Sequence, residues 1–197
     1  DPAALENLQI LAPVINPAWG TYQLNSYLQS WVGNNINRKG DYQEIGTQKI
    51  YKNDKVIQLQ NILRESYPSK EKYPLSNGQI GFVKSINKGH INVMYVGIPH
   101  ETFGFRGDKG EDQDAAIELA YAITIHKSQG SEYRAVILSL CGGPQPLLTR
   151  RVLYTAITRA RELLIIVGNE ETVAAMTRND RRQRRYSGLK LRLEGKV

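Results

Sequence analysis

The chain has a single cysteine, Cys141, in 197 residues, so no intramolecular disulfide can form and the composition suits a reducing compartment. Its three histidines are scattered, and neither they nor Cys141 fall at the spacings of a metal site, so no metal is expected to be held here. No uninterrupted apolar run approaches the roughly 18 residues of a membrane-spanning helix. The opening residues, DPAALENLQ, have neither the basic nor the apolar region of a secretory signal, and no initiator methionine. A cytoplasmic protein without a membrane partner is expected, and the missing methionine points to a fragment or a processed product.

What is present is ordinary for a globular protein: 41% apolar and 23% charged residues, enough for one substantial core or one core with a small insert. The net charge of +7 is unevenly spread. From Arg178 onward eight Lys/Arg face only Asp180 and Glu194, so the tail carries most of the excess. Such a run is the electrostatic footprint of a phosphate-backbone binder, and equally that of a solvated terminus.

Along the chain, Leu8–Val14 (LQILAPV) is an apolar run closed by Pro13, a buried-strand signature. After a turn at NPAWGT, Leu24, Tyr27, Leu28, Trp31 and Val32 recur at helical spacing, predicting a helix with these residues on one face. Residues Asn34–Thr47 are polar and glycine-punctuated and read as a connection. From Lys49 the period changes to one or two strands, Leu63–Leu75 reads as a charged, proline-bearing loop, and short strands follow. These are joined by tight turns at Asn77-Gly78 and Lys88-Gly89, a pattern that predicts a small antiparallel barrel. Gly104–Asp114 is charged and flexible in character.

The most informative stretch is Ala120–Leu140, AYAITIHKSQGSEYRAVILSL. Two apolar runs, each short enough for a buried strand, flank a polar turn at residues 128–132. In an α/β sheet such loops deliver polar groups to the strand ends, and Gly130 lets the backbone approach a ligand closely. A plain surface turn fits the same spacing. A second stretch, Arg150–Gly168, carries a helix pattern (Val152, Leu153, Ala156, Ile157, Ala160) that ends at Arg159 and Arg161, before the apolar strand Leu163–Val167.

ITIHKSQGSEY resembles motif V, and LYTAITRARELL resembles motif VI, of superfamily 1 helicases, most closely the RecD-like branch. They occur in the family's order, and the resemblance runs from about Leu8 to about Met176. It implies an α/β fold: a RecA-like parallel sheet lacking the phosphate loop, with an inserted small antiparallel β-barrel of the Src-homology-3 type. The implied division is 1–49 and 115–177 for the discontinuous RecA-like domain, 50–114 for the barrel, and 178–197 for a basic tail. No G-x-x-x-x-G-K-[ST] phosphate loop occurs, nor an acidic pair after an apolar strand, so this chain alone should not hydrolyse ATP.

By position the resemblance makes Arg159 the catalytic arginine that crosses to the γ-phosphate; the other reading is a helix-end arginine favoured by the dipole. Gln129, Gly130 and Glu132 join Arg159 as ATP-binding residues, with the Glu132 carboxylate accepting a hydrogen bond from the ribose. Thr124, His126 and Lys127 are the implied contacts to single-stranded DNA, His126 reading also as a packed loop histidine. Relatives often place a phosphate-sensing arginine after the strand matching LQILAPV; Ile15-Asn16-Pro17 stands there instead, leaving Arg150 or Arg151 as candidates. The implied cofactor is ATP with Mg²⁺, whose ligands belong to a missing N-terminal RecA-like domain of the same protein. That domain, single-stranded DNA, and repair or nuclease proteins are the implied partners. The expected function is therefore the second motor domain of an ATP-dependent, 5′-to-3′ DNA helicase. The alternative is a non-catalytic nucleic-acid-binding or regulatory module within a repair or recombination complex.

Overall fold

The computed structural model describes residues 2–16, 19–35, 40, 42–87, 89–106, 116–141, 143–181 and 192–194. Most of the basic tail, all but the start of the charged 104–114 segment, and Lys88 of the expected Lys88-Gly89 turn lie outside these residues.

A short helix α1 (Pro2–Asn7) runs directly into β1 (Leu8–Ala12). Strand β1 is central in a parallel sheet of order β11-β1-β12-β13, with β11 at Ala122–Thr124, β12 at Tyr133–Leu140 and β13 at Ala160–Gly168. The apolar runs of β1 and β12 lie within the sheet, where both faces are covered and alternation is not required. Leu11, Val136, Leu138 and Leu140 form its core with Leu153, Ala156 and Met176 from the helices. Helix α2 (Thr21–Asn35) packs beside β11, while α3 (Arg150–Ile157) and α4 (Glu170–Arg178) pack on each other, α3 also against β13. A single 3-10 turn, Gln145–Leu147, precedes α3. Strands β11 and β13 are the outer strands among the described residues, and on β13 Leu163, Ile165, Ile166 and Val167 are all exposed.

Helix α2 corrects the predicted apolar face. Thr21, Asn25 and Gly33 are buried and Leu24, Leu28 and Val32 half-buried, but Tyr27 and Trp31 point outward, 68% and 57% exposed. The polar Asn25 occupies the inner face because the backbone it meets needs its amide, as described below.

The other described strands pair antiparallel. In a hairpin of β2 (Tyr42–Ile45) and β3 (Gln48–Tyr51), β2 stands within the expected connection, while β3 falls where the strand pattern from Lys49 was expected. Seven strands then form one sheet of order β10-β4-β7-β8-β9-β5-β6. In chain order they are β4 (Lys55–Gln58), β5 (Ile62–Tyr67), β6 (Lys72–Leu75), β7 (Ile80–Asn87), β8 (His90–Tyr95), β9 (Thr102–Arg106) and β10 (Ile117–Leu119). The sheet curls around its own core of Val83, Ile91, Val93, Tyr95, Phe103 and Phe105. Its outer strands β10 and β6 do not pair with each other among the described residues, so the strand order is that of an open sheet. The expected loop at Leu63–Leu75 is instead the β5–β6 hairpin. Pro74 is tolerated because β6 is an edge strand, where a missing N–H breaks no inner ladder.

Two buried charged residues bind the sheets together. Lys55 on β4 donates from Nζ to the carbonyls of Leu5 and Leu8, each at 2.9 Å. Burial pulls its pKa down to about 7, against the raising influence of Glu6. Its neighbour Asp54 accepts from Tyr51 N at 2.8 Å, Gln29 Nε2 at 2.6 Å and Tyr121 Oη at 2.9 Å. Hairpin, helix α2 and the approach to β11 thus converge on one carboxylate.

Candidate functional site

The site starts from two buried amides. Asn25 of α2 donates to Ala122 O at 2.8 Å and Leu119 O at 3.2 Å, and accepts from Ala122 N at 2.8 Å. Gln9 of β1 donates to Ala120 O at 3.1 Å and Tyr121 O at 3.2 Å. Residues 119–122 pass between the two sheets, where backbone groups would otherwise lack partners; these side chains satisfy them. The clamp also sets where β11 begins.

Strand β11 ends at Thr124, and the chain folds into tight turns. Ser128 N donates to Thr124 O, Gln129 N to His126 O and Ser131 N to Ser128 O. Ser128 is fully buried and donates from Oγ to Ile125 O at 2.7 Å. Gly130 has φ +90° with no atom within 4 Å of where a Cβ would stand, so the backbone conformation, and not crowding, calls for glycine. These turns carry the chain from one end of the sheet to the other. Thr124 lies level with Ala12 at the end of β1, while Ala135 lies level with Leu8 at its start.

The sequence-predicted residues therefore separate into two groups. At the carboxyl end, Thr124 and His126 share a hollow of about 440 Å³ with Val14, Ile15, Asn16 and Leu147. His126 is exposed there. Lys127 is not part of this hollow. Its backbone N donates to Thr124 Oγ1 at 3.3 Å, but its ammonium is ion-paired with Glu118 beside a neighbouring hollow.

At the amino end, helix α3 delivers Arg159. Thr149 caps the helix by accepting from Val152 N at 3.3 Å, and the chain leaves through Thr158. Arg159 then donates to Ser131 O at 2.8 Å, Thr155 O at 3.1 Å and Thr158 Oγ1 at 3.1 Å, while its own carbonyl accepts from Tyr133 N at 2.8 Å. It stitches the motif V turn to the end of the motif VI helix. Glu132 lies next to this junction, with Gln129 and Gly130 exposed on the turn before it.

Three charged residues here were not singled out from the sequence as site residues. Arg161 donates to Glu132 at 2.8 Å, and Arg134 to Glu162 at 2.6 Å. The Glu162 carboxylate raises the pKa of Arg134. Both pairs bridge the starts of β12 and β13 and line a groove of about 440 Å³ with Gln79 and Ser131. The signal was legible: E-x-R at 132–134 faces R-E at 161–162 once the two strands are taken as parallel neighbours. Arginine forks beside carboxylates at an open groove can bind an anion and orient a hydroxyl-bearing group next to it.

Comparison with known proteins finds relatives of this chain. The UvrD-like helicase C-terminal domain family matches residues 119–167, which include both strand ends and α3. The chain is 27% identical over 162 residues to the ATP-dependent RecD2 DNA helicase of Deinococcus radiodurans, covering 82% of this chain and 20% of that protein. It is 45% identical over 78 residues to the RecBCD enzyme subunit RecD of Mycobacterium tuberculosis, covering 40% of this chain and 13% of that one. The chain thus spans a fifth or less of the length of these two relatives. Among solved structures, Pif1 helicase from Candida albicans superposes over 84% of this chain and 47% of its own, with a TM-score of 0.53 at 16% identity. The shared fold is a parallel sheet accompanied by a curled antiparallel one.

Proposed function

This chain is a C-terminal domain of the RecD-like superfamily 1 helicases, and from that premise we propose that it serves as the second motor domain of an ATP-dependent DNA helicase. The observation that carries the reading is the placement of Arg159, whose guanidinium joins the motif V turn to the motif VI helix beside the Glu132 groove. A guanidinium leaving Ser131 O for a phosphate oxygen would neutralise charge on a transferring phosphoryl group, an effect of about 10³–10⁵ in rate. Glu132 lines the groove and its carboxylate meets the ribose, while Gln129 and Gly130, exposed on the turn before it, complete the nucleotide contacts. ATP with Mg²⁺ supplies the hydrolysable phosphate, with the metal ligands on an N-terminal RecA-like domain.

Thr124 and His126 are the contacts to single-stranded DNA at the opposite end of the sheet, with Lys127 reaching them only after release from Glu118. The domain is formed by residues 1–49 and 120–177. The antiparallel module inserted between them serves as a barrel-type unit and extends through Leu119, because β10 pairs with β4. Residues 178–197 form a basic tail that docks DNA or a partner. Assembly with repair or nuclease proteins follows the naming of the RecD relative as a RecBCD subunit. Full-length protein carrying Arg159→Ala, assayed for DNA-stimulated ATP hydrolysis, tests the reading: turnover should collapse while DNA binding persists, and unchanged turnover would refute it.

A further inference from the structure

Separation of the two ends of the sheet leaves open where a strand held at Thr124 and His126 goes next. The hollow that holds these two residues is not isolated. Ile15, 55% exposed, is shared with a second hollow of about 270 Å³, and Tyr22, Thr47 and Gln48 are shared between that one and a third of about 220 Å³. The second and third lie between helix α2 and the β2–β3 hairpin, and the first adjoins them at Ile15. Gln29 of α2 donates to Lys49 O of the hairpin at 2.7 Å and so holds the two walls of this groove together.

The chemistry of this groove is specific. Helix α2, TYQLNSYLQSWVGNN, contains no charged residue at all, so none of its 15 positions repels a phosphate. Tyr22 is 45% exposed at the middle of the path, and hydroxyls and amides of Ser26, Gln29, Thr47 and Gln48 surround it. Lys127 lies in the second hollow and the exposed Lys49 in the third. The one carboxylate lining the groove, Glu118, is paired with Lys127. A flat aromatic ring among neutral hydrogen-bonding groups, with ammonium groups along the route, is the arrangement that stacks an unpaired base and tracks its backbone. A folded partner or an apolar peptide would call for aliphatic side chains along the whole path, whereas the third hollow is lined by Tyr22, Ser26, Gln29, Thr47, Gln48 and Lys49 with Leu119 as its one aliphatic residue.

We propose that single-stranded DNA continues from the Thr124–His126 hollow into the groove between α2 and the β2–β3 hairpin. There Tyr22 stacks on a base and Lys49 contacts a phosphate, with Lys127 adding a second contact once released from Glu118. The path rests on the assignment of Thr124 and His126 to DNA binding. Its consequence is that strand affinity has two stages, and only oligonucleotides long enough to reach past Ile15 use the second.

The test measures binding of fluorescent oligo-dT of increasing length to the full-length protein, comparing wild type with Tyr22→Ala/Lys49→Glu, with Tyr22→Phe and with His126→Ala. The path predicts unchanged affinity of the double variant for the shortest oligonucleotides and a loss of about tenfold or more for the longer ones. Tyr22→Phe, which keeps the ring, should bind like wild type and shows that the fold tolerates change at this position. Double-variant binding equal to wild type at every length, with His126→Ala still weakening it, would overturn the path and leave the first contact standing. A loss that is the same at all lengths would overturn it too. If His126→Ala also has no effect, the DNA assignment beneath it falls as well.

Discussion

Arg161 donates from Nε to the Glu132 carboxylate across 2.8 Å, tying the residue ahead of β12 to the second residue of β13. The carboxylate proposed to meet the ribose is thus already oriented by a neighbouring strand. Both partners are more than half solvent-exposed or close to it, so the pair contributes little to folding, about 0–1 kcal/mol. Arg161→Ala should therefore leave the melting temperature nearly unchanged while weakening nucleotide binding of the full-length protein several-fold. Calorimetric titration with a non-hydrolysable ATP analogue reads this, and unaltered affinity would detach Glu132 from the nucleotide.

Arg159→Lys separates charge from geometry. A lysine keeps the charge, but its compact ammonium cannot reproduce a planar fork that spans Ser131 O, Thr155 O and Thr158 Oγ1. Turnover should fall by about 10³ or more, and the melting temperature should drop with the loss of hydrogen bonds worth about 1 kcal/mol each. Steady-state kinetics beside thermal melting check it; wild-type turnover in the lysine variant would reduce Arg159 to a structural strut.

Lys55 makes stability pH-dependent. Its folded pKa of about 7 lies below the ordinary value of 10.5, so above pH 7 the unfolded chain binds a proton that the folded one has lost. Stability should rise by roughly 1.4 kcal/mol per pH unit from about pH 7 towards 9.5, because the unfolded state then carries more protons. A neutral amine still has two N–H groups for its two carbonyl partners. Beyond about pH 10 the rise should reverse, since the burial-raised phenols of Tyr95 and Tyr133 stay protonated while those of the unfolded chain ionise. Urea titrations across this range show the slope, and Lys55→Met should flatten its lower part.

Two glycines should respond differently to alanine. At Gly130 the left-handed backbone makes the substitution cost about 1 kcal/mol, with no clash to add. At Gly168 the new Cβ would stand 2.8 Å from Leu140 O, a backbone atom that can move only by disturbing the β12–β13 ladder. Gly168→Ala should therefore be the more destabilising of the two in chemical denaturation.

The sequence showed the parallel sheet clearly, because β1, β12 and β13 are continuous apolar runs and α3 carries a regular helical stripe. It did not show which way α2 faces. Tyr27 and Trp31 share a helical period with Leu24 and Leu28, and only the need of Ala122 for the Asn25 amide turns the helix so that both rings lie outside. The β5–β6 hairpin was hidden by charge and Pro74, which an edge strand accepts. At the site, motif V and motif VI were legible as strings of residues. The separation of Thr124 and His126 from Gln129–Glu132 to opposite ends of the sheet was not, since it depends on the turns at 125–131 doubling back across β1. Lys127 shows the same limit: its chemistry suits a phosphate, but Glu118, from a strand of the other sheet, holds it.

The sheet edge at β13 bears on how the molecule behaves in concentrated solution. The outer edge of this nine-residue strand, paired on its other side with β12 and carrying exposed Leu163, Ile165, Ile166 and Val167, forms a template on which another strand can zip. Chains of this length prepared alone should clump as concentration rises, and a lysine at Ile165 should keep them dispersed. Soluble yield would then be governed by the far part of a strand whose first residues, Arg161 and Glu162, line the candidate groove.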